Sequence, residues 1–203
     1  MSSNSRPRIA VIGRSWLAAE VLRRLTSEGF DAALIAEPDD SQPVATAKVL
    51  GLPYEIKAHW MPLRSADLPW RPDLVVSAHS FRIIPDWFIE WSRLGAIGYH
   101  PSLLPAYKGR NAIRDCLEDE QRFTGGSVYW LTPQIDGGPV VVAGGRRLQE
   151  RVQILPGETA LQLWKRALAP IGATMLLKAV SNAGGPRNAK AETRPGARRP
   201  RSV

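Results

Sequence analysis

Residues 8–13, RIAVIG, set four apolar side chains in a row and end on a glycine. That is the pattern of a strand buried on both faces. The spacing then changes: in SWLAAEVLRRLTSEG, Leu17, Val21, Leu22 and Leu25 recur at helical intervals and Gly29 supplies a stop. FDAALIAE predicts a second strand, PVATAKVLGLP a helix ending at Gly51, and YEI a short third strand. DLVVSAH (73–79) predicts a fourth strand. PDWFIEWSRLG reads as a helix with Pro85 and Asp86 at its start, and GAIGYH as a fifth strand. Strand alternating with helix predicts an α/β, Rossmann-like fold: a mostly parallel, twisted sheet with helices on both faces.

Beyond Pro105 the pattern shifts. NAIRDCLEDE is helical in spacing. GGSVYWL and GPVVVAGGRRL are β-rich runs separated by TPQIDG, a connection short enough to pair them antiparallel and make the sheet mixed. PGETALQLWKRALAPIGATMLLKAV predicts a terminal helix, or two, with Pro170 as a break or kink. No internal repeat interrupts this order. The expected organisation is a short flexible N-terminus (1–7), a single domain (8–180) and a disordered basic tail (181–203).

A length of 203 residues suffices for one real core, and 44% apolar with 23% charged residues is the balance of a globular chain. No run approaches the ~18–20 apolar residues of a membrane span, and MSSNSRPR offers no apolar signal core, so a cytoplasmic protein without a membrane partner is expected. Cys116 is the only cysteine. This excludes an intrachain disulfide and any multi-cysteine metal site, and fits a reducing compartment; no metal is expected. The net charge is +8, and the last 22 residues hold six Lys/Arg against one Glu. The body is therefore only mildly basic, and nucleic acid is not an expected partner.

Chemistry in such a sheet belongs at the carboxyl ends of strands. The first strand-to-helix turn, GRSW, is neither G-x-G-x-x-G nor a P-loop, which argues against a nicotinamide cofactor; a helix start at Ser15 would be a generic anion site. Three polar residues fall at strand ends: His79, His100 and Asp136. His100 closes GAIGYH and is followed by PSLLP, where Pro101 and Pro105 restrict the backbone and pre-organise what it presents. Asp136, in QIDGGP, is equally the residue of a tight turn. Gly98, two residues before His100, offers no side chain.

HPSLLPAYKG followed by GGSVYWLTPQIDGGPVVV resembles the folate-dependent formyltransferases, a family that includes the glycinamide ribonucleotide, methionyl-tRNA and sugar N-formyltransferases. The resemblance extends through PDLVVSAHSFRIIPDWFIEW and GETALQLWKRA, over roughly residues 8–180. It implies transfer of a formyl group from 10-formyltetrahydrofolate, as donor substrate, to an amine. The family's catalytic Asn, His and Asp fall on Gly98, His100 and Asp136, so the Asn is absent. His100 would donate to the oxyanion, and Asp136 would hold His100 charged and help remove the amine's proton.

At position 98 three outcomes stand open. A water fills the vacated space; a neighbour such as Tyr99, Lys108, Arg110 or Asn111 supplies the donor; or formyl transfer is lost. The resemblance places the donor pocket at Arg82, Ile83 and Ile84 and at Gln134, Ile135 and Gly137; at His79 and Ser80 the chain departs from its relatives. For Arg82 a solvated surface arginine is an equal reading, and for Ile83 and Ile84 ordinary core is the favoured one. Trp60, Trp70, Trp87, Trp91, Trp130 and Trp164 are expected as core anchors. The Gly-rich first turn of the glycinamide ribonucleotide enzymes and the extra C-terminal domain of the methionyl-tRNA enzymes are missing, which favours a small-molecule amine acceptor. A homodimer is left open. The alternatives are a non-catalytic folate- or metabolite-binding protein on the same scaffold, and a formyltetrahydrofolate hydrolase.

Overall fold

The computed structural model describes residues 6–38 and 41–183. β1 (Ile9–Gly13), β2 (Ala32–Ala36), β3 (Tyr54–Ile56), β4 (Leu74–Ala78) and β5 (Ala96–His100) run parallel. β6 (Phe123–Trp130) lies antiparallel to β5, and β9 (Gln149–Gln153) antiparallel to β6. The seven strands follow the order β3-β2-β1-β4-β5-β6-β9. The order reverses between β1 and β4, the switch point at which doubly wound sheets open a crevice.

Alternation along each strand builds two cores. Ile9, Val11, Leu34 and Val76 face one side. There they meet Leu17, Val21, Leu22 and Leu25 of α1 (Ser15–Ser27), Ala47 of α2 (Ser41–Val49), and Leu176 and Val180 of α6 (Ala169–Ala183). Ala10, Ile12, Ile35 and Val75 face the other side, against Phe88 of α3 (Asp86–Trp91), Ile84, Leu63 and Leu68. Each fully buried Leu or Ile contributes roughly 1.5–3 kcal/mol, so both layers are needed to hold the sheet.

Several expectations are corrected. GPVVVAGGRRL does not form a full strand pair with β6. It makes one bridge, Tyr129 to Val140, then folds into its own small hairpin, β7 (Val142–Ala143) with β8 (Arg146–Arg147); the partner of β6 is β9. The glycines at 144 and 145, both with positive φ, turn the chain before a longer ladder can form. Pro170 breaks no helix outright. α5 (Ala160–Leu163) passes through a π turn, Trp164–Leu168, into α6, and the Ala169 N–H donates to the Trp164 carbonyl. With no N–H at Pro170, the turn widens by one residue instead of ending.

α6 continues to Ala183, past the expected boundary at 180, so residues 181–183 are helical; the remainder of the predicted tail, 184–203, lies outside the described residues. At the other end residues 1–5 lie outside them too, but Pro7 is buried and the Arg6 guanidinium sits 5.2 Å from the centre of the Phe30 ring. Trp130 and Trp164 pack on the first core, Trp70 and Trp91 on the second. Trp60 and Trp87 are exposed, and are not core anchors. Among the described residues no helix is long and apolar enough to cross a membrane.

Candidate active site

His100 is the last residue of β5, and its side chain shares a face with Gly98 two positions earlier. Asp136 reaches the same face by another route. Because β6 runs against β5, its carboxyl end lies beside the start of β5, with Trp130 opposite Ile97. The strand-end rule therefore does not place Asp136. The loop after β6 does: the Leu131 N–H donates to the Ala96 carbonyl and the Trp130 N–H to the Pro139 carbonyl, so residues 131–138 turn back over the sheet.

The two side chains converge. His100 Nδ1 is 3.5 Å from Asp136 Oδ2, and both groups are about nine-tenths buried. His100 Nε2 lies 2.7 Å from the Tyr107 carbonyl. A carbonyl can only accept, so Nε2 carries the proton and faces Tyr107, and Nδ1 is the ring nitrogen turned toward the carboxylate. Asp136 sits at φ 46°, a left-handed conformation that Asp tolerates better than most residues. Its Oδ2 accepts the Gly109 N–H at 2.8 Å, and its Oδ1 accepts the Tyr129 hydroxyl at 2.6 Å. Burial, and then the hydrogen bond to Asp136, push the Tyr129 hydroxyl far above its usual range, so the phenol stays a donor.

The HPSLLP loop is fixed by more than its prolines. The Ser127 hydroxyl of β6 donates to the Ser102 carbonyl at 2.6 Å and accepts the Leu104 N–H at 3.0 Å. Gln149 of β9 donates to the Leu104 carbonyl at 2.7 Å, and the Ser102 hydroxyl closes on the Ala106 carbonyl at 2.6 Å. The two antiparallel strands thus brace the loop that carries Tyr107 and Gly109 to His100 and Asp136.

The remaining candidates distribute as follows. Arg82 is buried, and its guanidinium donates to the carbonyls of Met61, Ala58 and Lys57; burial lowers its pKa. It staples the 57–61 segment, which Lys57 ties further to Asp67 at 2.7 Å, and what this stretch offers a ligand is backbone. Ile83 is 74% exposed, whereas Ile84 is part of the second core. Ile135 is 65% exposed. The Gln134 carbonyl accepts the Gly137 N–H at 3.1 Å and forms the turn that presents Asp136. His79, at φ 60°, packs its ring 4.8 Å from that of Trp164, on the side of the sheet that Tyr99 faces. Tyr99 donates to the Leu168 carbonyl at 2.7 Å, and so is not available at position 98. Lys108, Arg110 and Asn111 are exposed.

No space is vacated at Gly98. A Cβ there would meet Leu131 Cδ2 at 2.9 Å and Tyr129 Cε1 at 3.2 Å. Tyr129, Gly109 and the Tyr107 carbonyl are the partners that sequence reasoning missed. The one available signal was that a glycine in β5 needs a large neighbour opposite it, and finding that neighbour requires the β5–β6 register.

A cavity of about 270 Å3 opens at the switch point, lined by Arg14, Glu37, Ala58, His59, Trp60 and Phe81. Glu37 Oε2 lies 3.9 Å from Arg14 Nη1 and 3.7 Å from His59 Nδ1. The guanidinium carbons of Arg14 and Arg110 stand 4.6 and 5.4 Å from the centre of the Phe81 ring. Arg110 follows Gly109, the donor to Asp136, and shares the Phe81 ring of the cavity wall with Arg14. A wider surface cleft between Leu155–Glu158 and Gln162–Arg166 shares no residue with it.

A doubly wound α/β sheet in which the last residue of the fifth strand meets a buried Asp from the loop after the sixth defines a class of α/β scaffold. Within that class the chain belongs to the formyl transferase family, whose model matches residues 8–180. It is 30% identical to the methionyl-tRNA formyltransferase of Thermotoga maritima, over 79% of this chain and 54% of that protein. It is 29% identical to that of Bacillus thuringiensis, over 85% and 57%. The chain thus spans about half the length of the curated relatives it matches. Among solved structures it resembles glycinamide ribonucleotide transformylase 1 of Symbiobacterium toebii, with a TM-score of 0.71, 23% identity and coverage of 88% and 87% of the two chains. It also resembles the phosphoribosylglycinamide formyltransferase of Anaplasma phagocytophilum, with a TM-score of 0.70, 22% identity and coverage of 89% and 88%. At those identities the likeness is one of fold.

Proposed function

We propose that this protein transfers a formyl group from 10-formyltetrahydrofolate to a small-molecule amine, with His100 and Asp136 as its catalytic pair. The observation that carries this reading is the approach of His100 Nδ1 to Asp136 Oδ2 at 3.5 Å in a member of the formyl transferase family. Attack of an amine on the formyl carbon generates an oxyanion and an ammonium. An imidazolium N–H stabilises the first and a carboxylate accepts a proton from the second. With Nε2 held by Tyr107, the reacting carbon would approach on the Nδ1 side, alongside the 3.5 Å contact of the two groups. Backbone of the 82–84 segment and of the 134–137 turn would hold the folate.

A small acceptor is supported by the modest volume of the switch-point cavity, and by Arg14 in place of a glycine-rich first turn. Its carboxylate and aromatic walls suit a ligand with a hydrogen-bond donor and a flat or ring-shaped face. The test is conversion of 10-formyltetrahydrofolate to tetrahydrofolate, followed by absorbance, against a panel of amino sugars and amino acid derivatives. Turnover is expected only with an amine present, and His100→Ala or Asp136→Asn is expected to lower kcat about 10³-fold or more. Full activity in both variants refutes the assignment. Formate release without amine would identify a hydrolase, and folate binding without turnover a binding protein.

A further inference from the structure

The register sets Tyr129 of β6 directly opposite Gly98 of β5. Side chains at paired positions share a face, and a Cβ on Gly98 would come within 3.2 Å of the Tyr129 ring. The ring therefore lies where a longer side chain at position 98 would have to lie, and Gly98 is what admits it. The hydroxyl at the end of that ring donates to Asp136 Oδ1 at 2.6 Å. Tyr129 is 8% exposed, and its ring stands edge-on to that of His100 with centroids 6.5 Å apart. One side chain thus fills the space at position 98 and also grips the carboxylate that faces His100.

We propose that Tyr129 is a positioning residue of the active site, aiming the Asp136 carboxylate at His100 from the space that a side chain at position 98 would occupy. This rests on the formyl-transfer reading above. Among the described residues three groups face the Asp136 carboxylate: the His100 imidazole from β5, the Tyr129 hydroxyl from β6 and the Gly109 N–H from the loop between β5 and α4 (Ala112–Glu118). Gly109 N–H and His100 both lie at Oδ2. The Tyr129 hydroxyl is the donor at Oδ1, and so fixes the rotation of the carboxylate about its Cβ–Cγ bond. A hydrogen bond to the charged form also favours that form.

The decisive variant is Tyr129→Phe, which keeps the ring against Gly98 and deletes only the hydroxyl. Two measurements are made. In the free protein, the 13C carboxyl resonance of Asp136 is titrated. Its midpoint is expected to move up by roughly one pH unit, the size of one charge-assisted hydrogen bond. In turnover, kcat is expected to fall about 10- to 100-fold with donor affinity unchanged, and the acid limb of the kcat/KM profile to move up with the carboxyl midpoint. Site-specific 3-fluorotyrosine at position 129, a stronger donor of the same shape, is expected to shift the midpoint the opposite way. An unmoved midpoint in both variants, or a kcat equal to that of the unaltered protein, overturns the proposal. Because the carboxyl titration needs no substrate, its result separates the two readings: a protein inactive on every amine but with a shifted midpoint loses the formyl-transfer reading and keeps the positioning role.

Discussion

At Gly98 a single missing side chain decides how the site is built. Restoring an Asn there looks from the motif like a repair. The packing says otherwise: Leu131 Cδ2 would lie 2.9 Å from the first added atom and the Tyr129 ring 3.2 Å from it. A Cβ alone displaces the Leu131 methyl and asks the Tyr129 ring for only a slight shift, so Gly98→Ala is expected to be mild. The three further heavy atoms of Asn must push the ring aside, and with it the hydroxyl on Asp136. Gly98→Asn should therefore lower both the melting temperature and kcat. Paired with Tyr129→Ala it should be less damaging than the two single changes summed, with a coupling of about 0.5–3 kcal/mol in a denaturation double-mutant cycle. Additive single effects would mean that the two positions do not compete for space. His100, Asp136 and Gly98 could be named as candidates from sequence because HPSLLP and the D-x-G turn are local patterns. Tyr129 could not, since its role depends on which residue of another strand faces Gly98.

Among elements, the join between α5 and α6 shows how a local signal can be right in place and incomplete in kind. Pro170 marks the break, but the sequence carries no sign that a π turn will absorb it. Tyr99 reaches across from β5 and gives its hydroxyl to the Leu168 carbonyl inside the turn. Burial pushes that hydroxyl's pKa far up, so it remains a donor. The phenol passes close to α6 at Gly172, where a Cβ would lie 2.7 Å from Tyr99 Cε1. Helix propensity alone favours Gly172→Ala by about 1 kcal/mol. Here the ring is anchored at both ends and cannot swing away, so the overpacking cost of about 1–3 kcal/mol is expected to win. Urea denaturation should show Gly172→Ala to be destabilised; a stabilised variant would mean that the ring has room to move. The β6–β9 pairing was hidden for a related reason. GPVVV has a more apolar strand pattern than QERVQ, yet the glycine turn at 144–145 diverts it into a hairpin and leaves the edge to the polar segment.

Across the whole molecule, the two ends of the sheet divide the work. The switch-point cavity opens at the carboxyl end, where β5 also ends in His100, and the opposite edge is closed by Asp73. Its Oδ2 accepts the Arg8 N–H at 2.7 Å just before β1, and its Oδ1 pairs with Arg93 Nε at 2.6 Å just before β5. One carboxylate at the head of β4 thereby ties the entries of three adjacent strands. Burial tends to raise its pKa, but the Arg8 N–H and the Arg93 guanidinium outweigh that, and the net shift is downward. A carboxyl held below its unfolded value stabilises the fold at all pH above that value, near 4, and loses the contribution as pH falls through the folded value. Asp73→Asn should therefore melt lower than the unaltered protein at pH 7, and the gap should close as the pH drops below about 4. The rate in the proposed formyl-transfer assay should not change, because no contact of Asp73 reaches His100 or Asp136 among the described residues. Thermal melts from pH 7 to 3 read the first effect, and kcat/KM at pH 7 reads the second. A gap that persists undiminished in acid would show that the clamp works through packing and not through its charge.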